Sequence, residues 1–81
     1  MLQDLKTASA KTIGMKQTIK AIQADNAREV FLARDVDEYV AVKIKDQCSK
    51  FDITIIMVDT MKELGEACGI QVGAATAAIM K

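Results

Sequence analysis

The chain lacks histidine, proline and tryptophan, and it carries only two cysteines, two phenylalanines and one tyrosine. The absence of histidine removes the residue that most often serves as a general base, and it leaves too few side chains for a zinc site. Cys48 and Cys68 form no CxxC pair, so a disulfide framework is not expected and a reducing cytoplasm suits the chain best. No metal, cofactor or catalytic role is therefore predicted.

Long apolar runs are also missing from the sequence. None approaches the roughly 20 residues that a membrane-spanning helix requires, and no basic and then apolar leader of the secretory type is seen. Apolar residues nevertheless make up 51% of the 81 positions, which is enough for a packed core. These features predict one soluble domain over residues 1–81, without a linker or an internal repeat.

A net charge of zero hides an uneven distribution of charge along the chain. Residues 1–28 hold five basic and two acidic residues, a balance of +3, whereas residues 29–66 hold five basic and nine acidic residues, a balance of −4. Overall neutrality argues against broad electrostatic adhesion to nucleic acid, because such affinity grows with the number of phosphate contacts. It still permits a small local site in the basic N-terminal part.

Apolar periodicity predicts seven elements in the order α, α, β, α, β, α, β. Helices that alternate with buried strands are typical of a sheet covered on both faces, so we expect an α/β fold with a three-layer α/β/α sandwich around a small mixed sheet. A short strand near Thr12 and Ile13 would add an edge. The elements are helices over Leu2–Ala10 and Met15–Ala24, a strand over Glu29–Ala33, a helix with the stripe Val40, Ala41, Ile44 and Cys48, a strand over Ile53–Val58, a helix between Thr60 and Gly69, and a strand over Ala74–Met80.

Two helix starts show the spacing of a capping box, in which a small polar residue is followed three positions later by glutamate. Asp35 and Glu38 predict one such start, and Thr60 and Glu63 predict the other. Gly69 is expected to end the fourth helix in the left-handed conformation that glycine favours.

The first candidate functional segment is the start of the second helix, after Gly14. A helix N-terminus presents free N–H groups and partial positive charge, so the cation of Lys16 in its first turn is electrostatically unfavourable in the isolated protein. Lys16 and Lys20 are also a like-charged i, i+4 pair, with Gln17 beside them. Such a helix start suits a phosphate-rich partner. The alternative is that these residues form only the solvated face of an amphipathic helix.

The second candidate is the loop that contains Ile70, Gln71, Val72 and Gly73. Branched apolar side chains in a loop can provide a ledge for an unpaired base or a docking knob for a protein. Two structural readings compete with this one. Ile70 would pack back on the last helical turn in a Schellman ending, and Val72 would begin the final strand.

The remaining reactive side chains favour structure over chemistry. Asp35, Asp37 and Glu38 could pair carboxylates around a metal, but helix capping accounts for Asp35 and Glu38 without a substrate. Free cysteine at a core-facing helix position behaves as a small apolar residue, and no histidine is present to activate it. Gly14 and Lys16 do not match the phosphate-binding P-loop pattern.

Three segments together resemble the kink-turn RNA-binding ribosomal protein family. That family includes archaeal and eukaryotic large-subunit ribosomal proteins, the core protein of box C/D particles and small bacterial ribosomal-protein-like members, to which the likeness is closest. The likeness covers nearly the whole chain in the right order, and the leucine–glycine motif with its apolar loop is its most specific part. The segments are GMKQTIKA from Gly14, VFLARDVD from Val30 and KELGEACGIQV from Lys62.

The resemblance implies an α/β/α sandwich that docks on a kink-turn, an RNA element with tandem sheared G·A pairs and an extruded bulge nucleotide. By position, the groove-reading residues would be Gly14, Lys16, Gln17 and Lys20, the ledge over the extruded nucleotide would be Ile70, Gln71, Val72 and Gly73, and further phosphate contacts would come from Arg28 and Lys62. Archaeal and eukaryotic members usually have Asn-Glu where this chain has Lys16 and Gln17. Lysine and glutamine can both address purine edges, so the type of site is retained.

We therefore expect a monomeric, non-enzymatic RNA-binding protein that stabilises the kinked form of ribosomal, ribosome-associated or regulatory RNA. A small protein–protein module that uses Ile70 and Val72 as an apolar knob is the main alternative. An enzyme with a metal held by Asp35 and Asp37 is a third possibility, although no substrate suggests itself.

Overall fold

The computed structural model describes residues 2–81, which form four helices and four strands. Among these residues no helix is both long and apolar enough to cross a membrane. The elements in chain order are α1 (Leu2–Thr7), β1 (Lys11–Ile13), α2 (Met15–Gln23), β2 (Ala27–Ala33), α3 (Glu38–Lys50), β3 (Ile55–Val58), α4 (Met61–Cys68) and β4 (Thr76–Met80).

The four strands form one mixed sheet in the order β1-β4-β2-β3. β2 pairs in parallel with β3, and β4 pairs antiparallel with both β1 and β2. A bulge interrupts the β2–β4 ladder between Ala27 and Glu29. The β1 strand near Thr12 and Ile13, which the sequence suggested, forms one edge of this sheet.

The helices cover both faces of the sheet and create two apolar clusters. Phe31 and Ala33 of β2 face α1 and α4, where Leu5 and Leu64 are fully buried. The intervening residues of β2 face α2 and α3, where Ile22 and Ile44 are fully buried. This alternation follows from the two-residue period of a strand, and it explains why β2 reads as a continuous apolar run. The predicted three-layer α/β/α sandwich is confirmed.

The predicted elements are present, but several boundaries differ. α1 ends at Thr7, three residues earlier than predicted, β3 begins at Ile55, and β4 begins at Thr76. Val72 therefore does not begin the final strand. The chain between α4 and β4 runs back along α4, where Ala74 N–H donates to Met61 O at 2.9 Å. This segment therefore lies against α4 before the sheet starts.

Both ends of α4 follow the sequence-based prediction. Glu63 N–H donates to the Thr60 side-chain oxygen at 3.1 Å. This is the hydrogen bond that a capping threonine is expected to accept. Gly69 adopts φ 82°, and Ile70 N–H donates to Gly65 O at 3.1 Å while Gly69 N–H donates to Glu66 O at 3.0 Å. These two bonds define a Schellman motif, which satisfies carbonyl groups at the helix end.

The predicted capping box at Asp35 and Glu38 is wrong. α3 begins one residue after Asp37, which occupies the cap position without a side-chain hydrogen bond to the helix. The Asp35 carboxylate instead accepts from Met61 N–H at 2.8 Å and so caps the first turn of α4. The spacing was misleading because parallel pairing of β2 with β3 brings the following residues of both strands to the same end of the sheet.

Replacing Asp35 by alanine is expected to lower the free energy of unfolding by about 1 kcal/mol, because α4 loses a charged cap at its positive end. Urea unfolding followed by circular dichroism measures the change. Asp37→Ala is the matched control, since the Asp37 side chain makes no cap hydrogen bond. Equal losses in the two variants would contradict this assignment.

Candidate nucleic-acid interface

One end of the sheet gathers most of the candidate residues. The strands β2 and β3 end there, α2 and α4 begin there, and the loop after α4 returns there to start β4. Three backbone hydrogen bonds fasten this end: Gly14 N–H donates to Thr76 O at 2.8 Å, Ala33 N–H to Ala75 O at 3.0 Å, and Arg34 N–H to Val58 O at 2.8 Å. We call this region the anchored end. The start of α2 approaches it from one face of the sheet, and the loop of residues 70–73 approaches it from the other.

Gly14 sets the direction in which α2 leaves the sheet. Its backbone has φ 96° and ψ 160°, a combination that is essentially restricted to glycine. A Cβ atom added there would meet no heavy atom within 4 Å, so the glycine is explained by backbone conformation and its surroundings are open. Within residues 2–81 no side chain caps α2 by a hydrogen bond. Its first N–H groups therefore face an uncrowded space that an acceptor could occupy.

The exposed face of α2 carries the three polar candidates. Lys16, Gln17 and Lys20 are exposed, whereas Thr18 and Ile22 point to the sheet and are fully buried. Among residues 2–81 neither Lys16 nor Lys20 has a carboxylate within 4.0 Å. The like-charged pair is therefore not neutralised by the protein itself. A groove of about 410 Å³ runs beside this face, and its lining residues are Thr12, Gln17, Lys20, Ala21, Ala24, Asn26 and Met80.

The loop of residues 70–73 divides into a packed part and a free part. Ile70 is half-buried against the cluster that contains Leu64, as its position in the Schellman motif predicts. Gln71, Val72 and Gly73 are exposed, and Val72 is 71% accessible. The structural reading therefore explains Ile70, whereas Val72 is left with an apolar side chain that the protein does not cover.

The backbone of this loop lies against α4 at a glycine. A Cβ atom added to Gly65 would come within 2.0 Å of the Val72 carbonyl oxygen. The two backbones can approach this closely only because Gly65 has no side chain. Gly65 thus permits the position of Val72.

Lys62 and Arg28, the two further candidates, lie in different places. Lys62 is exposed in the first turn of α4, at the anchored end. Arg28 occupies the bulge of β2, next to the end of β4, and forms a loose pair with Glu29 at 3.7 Å. Thr76 and Met80 mark the two ends of β4, so Arg28 is roughly 13 Å from the anchored end along the sheet. Arg28 therefore lies apart from the other candidate residues.

Sequence reasoning did not single out several residues that lie at the anchored end. Arg34 and Asp59 follow β2 and β3 and form an exposed pair at 3.5 Å. Thr18 and Thr76 are the two fully buried polar residues in the described part of the chain. Residues that follow neighbouring parallel strands lie close together, and this rule could have predicted that Arg34 and Asp59 are neighbours. The hydrogen-bond partners of the two threonines depend on tertiary contacts and have no such signal in the sequence.

Neither cysteine is an activated nucleophile. Burial raises the pKa of the Cys48 thiol to about 11. Burial also raises the pKa of Cys68, which the charge of Lys11 offsets in part. Both thiols are thus largely protonated at neutral pH and are weak nucleophiles. Among residues 2–81 no cluster of three or more potential ligand residues could hold a metal ion.

Comparison with known proteins identifies relatives of the whole chain. Residues 1–81 match the model of the ribosomal protein L7Ae/L30e/S12e/Gadd45 family. A protein of Caldanaerobacter subterraneus subsp. tengcongensis named as an RNA-binding protein is 50% identical over 68 residues, which cover 84% of this chain and 83% of the relative. The large ribosomal subunit protein eL8 of Halobacterium salinarum is 39% identical over 75 residues, or 91% of this chain and 62% of the relative.

Solved structures show the same fold. The 15.5kD RNA binding protein of Giardia lamblia superposes with a TM-score of 0.87 at 21% identity, and the match covers 99% of this chain and 68% of that one. The two sequence relatives are named as an RNA-binding protein and a ribosomal protein, in agreement with the prediction of a non-enzymatic protein. The resemblance found in the sequence is confirmed: the chain belongs to the ribosomal protein L7Ae/L30e/S12e/Gadd45 family.

Proposed function

We propose that this protein binds structured RNA and recognises kink-turns, with the start of α2 and the loop of residues 70–73 as its contact surface. The observation that carries the proposal is the arrangement at the anchored end, where an uncapped helix start with two unneutralised lysines lies across the sheet from an exposed valine. Sequence relatives over most of the chain carry names that denote RNA binding or a ribosomal protein.

The start of α2 has the chemistry to read purine edges in a widened groove. The open space around Gly14 lets an RNA backbone or base edge approach the first helical N–H groups. Gln17 offers a planar amide that pairs with the adenine edge, and Lys16 and Lys20 offer donors to guanine O6 and N7 or to phosphate. Sheared G·A pairs present both kinds of purine edge.

Val72 provides the apolar part of the surface. A base that is extruded from its stack exposes a flat apolar face, and an uncovered aliphatic side chain on a fixed backbone can cover that face. The absence of a side chain at Gly65 lets the Val72 backbone lie against α4, and the Ala74–Met61 hydrogen bond fastens the end of the loop. The loop is thus prearranged, which reduces the entropy lost on binding.

The charge distribution limits how much nonspecific binding the surface supports. The carboxylates of Asp35, Asp37 and Asp59 lie near the anchored end, and the whole chain has no net charge. We therefore expect a shallow salt dependence, with a slope set by roughly two to four phosphate contacts. Recognition then depends on the shape of the RNA and on its purine edges.

Mobility-shift titration with two RNAs tests the proposal. One RNA contains a kink-turn, and the matched RNA has its G·A pairs replaced by Watson–Crick pairs. We expect the kink-turn to bind at least about tenfold more tightly, the value of one good base contact. Equal affinity for the two RNAs would overturn the assignment of kink-turn recognition, and absence of binding to either would overturn RNA binding through this surface.

The exposure of Val72 also favours a second function, a protein-binding module that uses this side chain as a knob. The variant Val72→Asp separates the two functions. A kink-turn-binding protein should lose RNA affinity, since a carboxylate would face the RNA. A protein-binding module should lose capture of its partner in a pull-down while its interaction with RNA, if any, stays the same.

A further inference from the structure

Thr18 and Thr76 are fully buried although threonine is polar, and both lie where the proposed RNA-binding surface is attached to the sheet. A buried hydroxyl group needs a hydrogen-bond partner, and when it has one it fixes the relative position of the elements that it joins. The partners of these two hydroxyl groups therefore bear on how α2 is held.

Thr76 joins three elements at a single residue. Its hydroxyl group donates to Phe31 O on β2 at 2.5 Å, and its own carbonyl oxygen accepts from Gly14 N–H at 2.8 Å. Thr76 is also the first residue of β4, directly after the segment that contains the candidate loop. It connects the start of α2 and the end of the loop to the central strand.

Thr18 connects the first turns of α2 to the edge strand. Its hydroxyl oxygen lies 2.9 Å from that of Thr12 on β1, and Thr18 N–H donates to Gly14 O at 3.1 Å. Thr18 follows Gln17 directly and precedes Lys20 by two positions. This side-chain contact constrains the rotation of α2 about its axis. That rotation sets the direction of the Gln17 and Lys20 side chains.

We propose that Thr18 and Thr76 are positioning residues for RNA recognition. The Thr18 hydroxyl group fixes α2 against β1, and the Thr76 hydroxyl group fixes against β2 the residue whose carbonyl oxygen holds Gly14. Together they keep the start of α2 and the loop of residues 70–73 in the one arrangement that fits the kink-turn. The proposal rests on the proposed function and deepens it. Apolar packing alone would keep the fold and would leave α2 free to rotate or slide by a small amount. The RNA would then lose contacts that depend on direction before it lost those that depend on charge.

Isosteric variants test the proposal, because valine has nearly the shape of threonine and lacks the hydroxyl group. For Thr18→Val and Thr76→Val we expect the ratio of affinities between the kink-turn RNA and its G·A-replaced copy to fall by about fivefold, the value of one hydrogen bond. Thr18→Ser and Thr76→Ser keep the hydroxyl group and should restore most of the ratio. Ile79→Val is the control for a core change away from the surface, because Ile79 lies in the other apolar cluster and near the far end of β4, and it should leave the ratio unchanged.

The outcomes separate this proposal from the one on which it rests. If the wild-type protein does not prefer the kink-turn, the proposed function fails. If the wild-type protein prefers it and both valine variants keep the full ratio, the positioning role is overturned. Thermal melting of each variant shows whether it is folded at the binding temperature. If a valine variant is unfolded at the binding temperature, the serine variant at the same position is used instead. A fivefold lower affinity ratio in the serine variant, which keeps the hydroxyl group, would contradict the proposal.

Discussion

Replacing Gly65 by alanine is expected to lower the free energy of unfolding by about 1–3 kcal/mol and to weaken RNA binding as well. The added Cβ would lie 2.0 Å from the Val72 carbonyl oxygen and 3.0 Å from its carbonyl carbon, so the loop backbone must move away from α4. Both α4 and the loop are held at their ends, by the Asp35 cap and by the Ala74–Met61 hydrogen bond. The displacement therefore falls on Val72 itself.

Thermal melting and an RNA titration below the melting temperature of the variant separate the two effects of Gly65→Ala. Gly73→Ala is the control for stability, because its Cβ would come no closer than 3.1 Å to the Met61 Cβ and 3.4 Å to the Met61 backbone, and it should therefore cost less. If Gly65→Ala melts like the wild-type protein, the close approach of the two backbones does not require a glycine at this position. If it is destabilised but binds RNA with full affinity once folded, Val72 does not contribute to the contact surface.

Removal of the Lys16 side chain should weaken binding to a kink-turn by about 1–3 kcal/mol, the range for a direct contact with a base edge. Lys16 lies in the first turn of α2 beside the open space at Gly14, and no carboxylate of the described residues neutralises it. If the contact is to phosphate, the dependence of affinity on salt should also become shallower, by about one in the logarithmic slope.

Lys45→Ala is the matched control for the Lys16 variant. Lys45 is also exposed on a helix, but it lies on α3 in the acidic part of the chain. The two variants change the net charge equally, so a general electrostatic attraction would weaken both to the same extent. Similar losses would therefore show that the surface assigned to α2 is wrong.

Much of the fold could be predicted because its signals are local. β2 is recognisable as a buried strand because both of its faces are covered, and α2 is recognisable from apolar spacing that matches its buried side. Thr60 and Gly69 delimit α4 through caps formed within a few residues. In each case the residues that determine the element lie inside it or next to it.

The sequence alone could not locate groups whose position depends on distant parts of the chain. Asp35 has the spacing to cap α3, but parallel pairing of β2 with β3 brings it to the start of α4. Arg28 lies in the basic N-terminal part of the sequence, yet the length of β2 carries it to the far end of the sheet. No pattern of neighbouring residues in the sequence predicts these positions in the fold.

The candidate site was likewise predicted where its signals are local and missed where they depend on distant parts of the chain. The polar face of α2 and the apolar loop were visible in the sequence as two separate segments, and the resemblance to a known family joined them. The contacts that bring them to one end of the sheet run through Thr76, Gly65 and Ala75, and they depend on the register of β4 with its neighbours.

Mapping of backbone amide chemical shifts by NMR during titration with a kink-turn RNA tests the central claim most directly. If the start of α2 and the loop form one RNA-binding surface, the largest changes should occur at residues 14–20 and 70–73. Arg28 and the end of β4, at the opposite end of the sheet, should change little. Changes centred on Arg28 or on the outer face of α3, with residues 14–20 and 70–73 unaffected, would contradict the account.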